Sequence, residues 1–211
     1  MNSMSLMVAL YDEPDEARHA EIYECLRLNL EVFDLVWCFL EDTGARARFA
    51  PLLESLHAEP VELGKRLTFA RAFGHAGAGY NVLANNDIAF GPDLPAKLAR
   101  FGEPLEYSSS SKEFWCVSRH ESNGRIVPFP EHSQDAWIWH GAARVPLILN
   151  TAFYLGQLGC DNRVAFEAKA AGYLLRNPGE RIRIEHHHAS QVRRTTGRLT
   201  GGYEYVPLER L

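Results

Sequence analysis

The feature that most constrains this chain is the alternation of short apolar runs with helical periodicity through its first half. Leu6 to Leu10 is an apolar run closed by Tyr11-Asp12-Glu13-Pro14, which predicts a strand with a polar mouth. From Asp15 to Leu30 the pattern turns helical: Ile22, Leu26 and Leu30 recur at four-residue spacing, and Asp15, Glu16 and Glu21 load the front half with negative charge. Asp34 to Leu40 predicts a second buried strand ended by Glu41-Asp42. Ala45 to Leu56 predicts a second helix that Pro51 is able to break. Leu67 to His75 predicts a third helix, and Tyr80 to Ala84 a third strand. Such alternation needs crossover connections, so the expected class is α/β, with a mainly parallel sheet covered on both faces. Ligands in such sheets bind off the carboxyl ends of the strands. Tyr11-Asp12, Glu41-Asp42 and Asn85-Asn86-Asp87 are the polar residues expected there.

After residue 100 the character changes. Phe101 to Pro130 carries Ser108 to Ser111, several Gly and Pro, and the short runs Phe114 to Ser118 and Arg125 to Phe129, which read as loops and short strands open to antiparallel pairing. Thr151 to Leu155 is a further strand candidate, and Cys160 to Ala171 reads as a helix with Val164, Ala168 and Ala171 on one face. Leu174-Leu175 and Ile182 to Ile184 read as closing strands. At 211 residues the chain is expected to be a single domain, with residues 6–100 and 101–211 as its two halves.

Charge and composition exclude several classes. Lys plus Arg is 22 and Asp plus Glu is 27, a net charge of −5, which argues against a dedicated nucleic-acid binder, although Arg181, Arg183, Arg193, Arg194 and Arg198 make one end locally basic. The longest apolar runs, such as Val36 to Leu40, are strand-sized, far from the ~20 residues of a membrane span. Met1 to Ser5 lacks a basic n-region, so no secretory signal is expected. Cys25, Cys38, Cys116 and Cys160 show no CxxC spacing and are expected as buried free thiols. A cytoplasmic domain is the expectation.

Several residues carry chemistry, each with a plain structural alternative. Asn85-Asn86-Asp87 follows an apolar strand, and residues 85 and 87 alternate onto one face, so an amide oxygen and a carboxylate are able to meet one Mg²⁺ or Mn²⁺; an Asx turn accounts for the same residues. On an extended chain His186 and His188 share a face, and neutral imidazoles suit Mn²⁺ or Zn²⁺; the alternative is a solvated His run. Asp161-Asn162 opens a helix, where an Asp is commonly an N-cap but is also able to take a proton from an acceptor hydroxyl. Ser133-Gln134-Asp135 offers a further carboxylate, or a turn. Lys65-Arg66 and Ser190, Arg193, Arg194 and Arg198 suit phosphate contact, or solvent. Gly74, Gly77 and Gly79 follow a helix and open a strand, the reverse of a dinucleotide fingerprint, so they read as a C-cap and turn.

The order of these motifs resembles that of nucleotide-sugar glycosyltransferases of the GT-A fold, in particular a group of small bacterial glycosyltransferase-like proteins distantly similar to family-2 enzymes. The resemblance rests on Arg18-x-x-Glu21-x-x-x-Cys25-Leu26-x-x-Asn29, Arg66-x-Thr68-Phe69, Ala84 to Ile88, Phe114 to Arg119, Ser133 to Ile138, Gly159 to Arg163, Ala171-Gly172-Tyr173 and His186-x-His188-x-Ser190-x-x-Arg193. It implies a GT-A-like αβα sandwich. Asn85-Asn86-Asp87 would be a DxD-like metal motif with Asp87 as main ligand, Asn85 replacing the first carboxylate. His188 would match the late histidine of the metal shell, with His186 its alternate. Tyr11, Arg66, Asn86 and Arg193 would meet the nucleotide and its phosphates, while Gln134, Asp135 and Asn162 would meet substrate. Asp161 would be the base of an inverting transfer, with Cys160 in place of the Glu of the family's Glu-Asp pair.

The implied reaction moves a sugar from a nucleoside-diphosphate sugar, UDP-linked as the first guess, to an acceptor hydroxyl with Mn²⁺ or Mg²⁺. A GT-A-like binding domain with little activity, and a metal-dependent hydrolase using Asp87, His186 and His188, are the alternatives. A homodimer would help so short a chain cover its sheet.

Overall fold

The computed structural model describes residues 3–101, 112–141, 150–190, 192 and 197–209. Ser108 to Ser111, Arg193 and Arg194 lie outside them. The described elements run β1 (Met4–Leu10), α1 (Glu16–Leu30), β2 (Leu35–Leu40), α2 (Thr43–Leu53), β3 (Ala58–Glu62), α3 (Phe69–Phe73), β4 (Tyr80–Ala84), β5 (Ile88–Phe90), α4 (Leu94–Phe101), β6 (Glu113–Val117), β7 (Ala136–His140), α5 (Cys160–Ala170), β8 (Leu174–Arg176) and β9 (Ile184–His186). Seven strands form one sheet in the order β3-β2-β1-β4-β7-β6-β8, while β5 and β9 pair separately. Strands β1 to β4 are parallel, and β7 runs antiparallel to both of its neighbours.

The two faces follow from strand alternation. Leu6, Val8 and Leu10 pack with Ile22 and Leu26 of α1, Phe49 of α2 and Leu94 and Leu98 of α4. Met7 and Ala9 turn the other way, toward Phe69 and Phe73 of α3, Trp137 and Trp139 of β7 and Val164 and Ala168 of α5. With both faces covered, β1 reads as a continuous apolar run rather than an alternating one. All four cysteines are free and buried, and burial pushes their thiols up, Cys38 to about 12. No helix among the described residues is long and apolar enough to cross a membrane.

Some elements differ from the sequence pattern. Strand β3 is short, polar and carries Pro60, features that hide a strand in sequence; it lies at the sheet edge, where a missing N–H is tolerated. Helix α2 continues through Pro51 and stops two residues later at Leu53. Thr151 to Leu155 is not a strand. Its backbone bonds Leu67 to Ala70, whose chain turns into α3 after Thr68, so the ladder has no partner to extend along. The last strand starts at Ile184 rather than Ile182 because its pairing partner, β5, is only three residues long. Gly74 is the C-cap of α3, as its place after a helix suggests. At Gly79 a Cβ would meet the Ser3 carbonyl at 1.9 Å, so this glycine permits the close approach of β4 to β1.

Asn29 ties the small sheet to α1. From the buried face of α1 its amide nitrogen donates to the Ile88 carbonyl at 2.8 Å, and its amide oxygen accepts the Phe90 N–H at 3.0 Å. Asn29→Ala orphans both buried groups at about 1–3 kcal/mol each, so urea unfolding should show a loss on the order of 2–6 kcal/mol; a loss below about 1 kcal/mol would mean that β5 is held by its apolar contacts instead.

Candidate active site

Strands β1 and β4 are adjacent, yet the chain leaves β1 toward β2 and returns on the other side, so a crevice opens at their carboxyl ends. An open cleft of about 230 Å³ occupies it, lined by Tyr11, Arg66, Asn85, Asn86 and Asp87 among the expected residues, with Asp135, His186 and His188. The turn between β4 and β5 aims these side chains. Asn86 donates across the crevice to the Ala9 carbonyl at 2.9 Å. Asn85 turns sideways, its amide donating to Asp135 Oδ1 at 2.8 Å while its backbone N–H donates to the Asp135 carbonyl at 3.0 Å.

Asp87 is the centre of the cleft. It is 7% exposed, and its Oδ2 lies 3.1 Å from His186 Nε2, 3.2 Å from His188 Nδ1 and 2.5 Å from Arg18 Nη2. Burial pushes this carboxyl up, but hydrogen bonds to His186 and His188 and the charges of His186 and Arg18 outweigh it and hold the group well below the usual carboxylate range. One donor atom each from Asp87, His186 and His188 fall within 4.8 Å of one another. One carboxylate oxygen and two imidazole nitrogens fit a divalent ion with nitrogen affinity, such as Mn²⁺ or Zn²⁺, better than Mg²⁺, which favours oxygen donors.

Arg18 is a site residue that the sequence pattern conceals. Nothing distinguishes it from any charged residue in the first turn of a helix, but Arg18, Ile22, Cys25, Leu26 and Asn29 share the buried face of α1. Its Nη1 donates to Glu21 Oε2 and to the His187 carbonyl, both at 3.0 Å, and Glu21 in turn accepts the Ser190 N–H at 2.7 Å and its hydroxyl at 2.8 Å. Arg119 also lines the cleft and bonds Asp135 Oδ2 at 2.9 Å. The signal that was available for both is their presence in the motif stretches quoted above.

Of the remaining expected residues among those described, Arg66 lines the cleft, whereas Gln134, Asp161 and Asn162 are not among its lining residues. The Arg66 Nε donates to the Leu155 carbonyl at 3.2 Å. Gln134 turns away to donate to the Pro130 carbonyl at 2.9 Å. Asn162 donates to the carbonyls of Glu131 at 3.2 Å and Glu204 at 3.1 Å, fastening two loops to α5. The N-cap of α5 is Gly159 in a left-handed conformation, which leaves Asp161 inside the first turn rather than capping it. Burial pushes the Asp161 carboxyl up to about 6; Asp135 adds to the push, and the backbone amides of Asn162 and Gln134 only partly offset it.

No family model matches this chain, and no curated protein matches it. Solved structures do. The S. aureus TarS 1-349 structure in complex with UDP-GlcNAc is 13% identical with a TM-score of 0.53, the match covering 95% of this chain and 60% of that one. A mannosyltransferase from Pyrobaculum calidifontis, in complex with GDP-Man and Mn²⁺, is 16% identical with a TM-score of 0.57, covering 88% and 57%. The 4-diphosphocytidyl-2C-methyl-D-erythritol synthase of Anaerococcus prevotii is 8% identical with a TM-score of 0.52, covering 92% and 93%. These likenesses show the fold, a GT-A-like αβα sandwich. The chain spans about three fifths of the length of TarS 1-349 and of the mannosyltransferase.

The raised Asp161 carboxyl has a consequence for stability. Its folded pKa exceeds its unfolded one, so folding is penalised above pH 6 and the penalty vanishes below the unfolded value of 3.8. Asp161→Asn should therefore raise stability at pH 7.5 by up to roughly 3 kcal/mol, with the gain shrinking toward pH 4. Paired urea melts at the two pH values check this, and a gain of equal size at both would remove the titration as its cause.

Proposed function

We propose that this chain is a divalent-metal-dependent glycosyltransferase that moves a sugar from a nucleoside-diphosphate sugar to an acceptor hydroxyl. The observation that carries the reading is the gathering of Asp87, His186 and His188 within 4.8 Å at the strand ends of a GT-A-like fold. Those three residues would hold Mn²⁺ in preference to Mg²⁺, and the bound ion would supply positive charge against the departing diphosphate.

The chain's own residues account for the rest. Arg66 and Arg119 face the same cleft and would neutralise phosphate oxygens. Tyr11, at the end of β1, would flank the nucleotide, and Asn86 braces the crevice by its bond to Ala9. On the far side Asp161 would take the proton of the acceptor hydroxyl as its oxygen attacks the anomeric carbon and the nucleoside diphosphate leaves. A carboxyl near 6 is ionised at neutral pH and more basic than an ordinary aspartate, which suits that task. Base and leaving group on opposite sides of the sugar give inversion. Residues 6–100 would bind the donor and 101–211 the acceptor.

A second reading has its own support. The match to the diphosphocytidyl-methylerythritol synthase covers nearly all of both chains, whereas TarS 1-349 and the mannosyltransferase are longer. In a nucleotidyl transfer the same cleft would join a nucleoside triphosphate to a phosphorylated alcohol and release pyrophosphate.

Thermal-shift titration of the whole chain with UDP-GlcNAc, GDP-mannose and CTP, in Mn²⁺ and in EDTA, separates these. One diphosphate sugar at 100 times its Kd should add about 2.7 kcal/mol in Mn²⁺, and most of that gain should vanish in EDTA. His188→Ala, which removes a ligand without orphaning Arg18, should abolish the Mn²⁺-dependent part. A metal-dependent shift confined to CTP, with pyrophosphate release, would establish the second reading, and no shift with any nucleotide would defeat both.

A further inference from the structure

The backbone around residue 120 brings a carboxylate to the back of the metal cluster. The His120 N–H donates to the Ile184 carbonyl at 2.8 Å, and the His186 N–H donates to the His120 carbonyl at 2.9 Å, so this residue pairs directly with β9. A tight turn follows. The Glu121 N–H donates to the Arg125 carbonyl at 2.9 Å and the Gly124 N–H to the Glu121 carbonyl at 2.8 Å, with Gly124 at φ +77°, where glycine is favoured. The turn holds the Glu121 carboxylate beside His186, Oε2 lying 3.3 Å from Nδ1. Its other oxygen is fixed by Arg119 Nε at 3.0 Å.

His186 therefore lies between two carboxylates, Glu121 at Nδ1 and Asp87 at Nε2. They are not equivalent. Asp87 Oδ2 also meets His188 and Arg18 and belongs to the set of converging donor atoms, whereas Glu121 lies outside that set. An imidazole that binds a cation through one nitrogen keeps its proton on the other, and the partner of that proton fixes the ring.

We propose that Glu121 is a positioning residue that holds the Nδ1 proton of His186 and so presents Nε2 to the divalent ion shared with Asp87 and His188. This rests on the metal site proposed above. It makes the two imidazoles inequivalent: His186 is pre-set by a carboxylate behind it, and Glu121 ties the metal cluster through Arg119 to Asp135. Outer partners of this kind are worth about 10–100-fold in metal affinity.

The test uses the full chain without nucleotide. Mn²⁺ is titrated in while the EPR signal of the free ion is followed, and the melting temperature of the metal-free protein is recorded. Glu121→Ala should bind Mn²⁺ about 10–100-fold more weakly. Glu121→Gln, whose side-chain carbonyl still accepts a hydrogen bond from the Nδ1–H, should fall between it and the parent, and both should melt as the parent does without metal. In the Zn²⁺-loaded parent, ¹⁵N spectra of the imidazoles should show His186 metallated at Nε2 with a slowly exchanging Nδ1 proton, which Glu121→Ala should lose. Parent-like Mn²⁺ affinity in Glu121→Ala alongside loss of binding in His188→Ala would overturn the proposal and leave the metal site standing. So would metallation of His186 at Nδ1, or a metal-free melting point that falls with affinity and is not restored by Gln. A parent chain that binds no Mn²⁺ would sink the metal site and this role together.

Discussion

An ionised carboxylate taken out of water costs several kcal/mol unless other groups replace its hydration. Asp87, 7% exposed, imposes that requirement on the whole domain. Its partners are separated from it by 69 residues on one side and by 99 and 101 on the other, so they meet only when the chain has closed. Arg18 comes from α1, His186 from β9 and His188 from the turn beyond. The backbone repeats the closure, since the His187 N–H donates to the Asp87 carbonyl at 2.9 Å and Arg18 holds the His187 carbonyl. A cleft assembled this way is also a cleft held open: its central anion is already paired with side chains that are themselves buried, so its geometry does not wait for a ligand.

Strand β7 explains how the second half of the chain reaches the same place. In an all-parallel sheet every strand would deliver its carboxyl end to the crevice. Because β7 runs antiparallel between β4 and β6, it is the amino end, Asp135, that arrives beside Asn85. The same reversal sets Gln134 over the start of α5, where its backbone amide meets Asp161. Gln134 and Asn162 then serve the scaffold, each bonding backbone carbonyls of the 130–132 turn or of residue 204.

The parallel half of the fold was legible because its physics is local: buried strands are apolar throughout, and α1 and α2 begin at Asp15 and Asp42, whose carboxylates accept backbone amides of the first turn. What was not legible depended on context. Pro60 argues against a strand until its place at the sheet edge is known. Ile184 to His186 reads as a strand, but its partner, ninety-odd residues earlier, cannot be read from either segment. Asp87, His186 and His188 could be named as candidates from alternation alone, whereas Arg18, Glu21 and Glu121 could not. Charged residues on a helix or in a turn look solvated in sequence, whereas here Arg18 pairs with Asp87, Glu21 with Arg18, and Glu121 with His186.

Asp161 shows how two opposing effects are weighed. A carboxylate in the first turn of a helix gains about 0.3–1 kcal/mol from the helix dipole, and backbone N–H groups lower its pKa further. Yet the group stands near 6, some two units above its ordinary value, equivalent to roughly 3 kcal/mol in the opposite direction. Burial and the charge of Asp135 therefore win by a wide margin. The neighbour at the helix start is Cys160, buried and with its thiol pushed up, so it brings no charge to share a proton or to raise Asp161 further. A single carboxylate held at this value by its surroundings is stabilised by accepting a proton, and the fold supports that tension through Gln134, Asn162 and the turn they fasten.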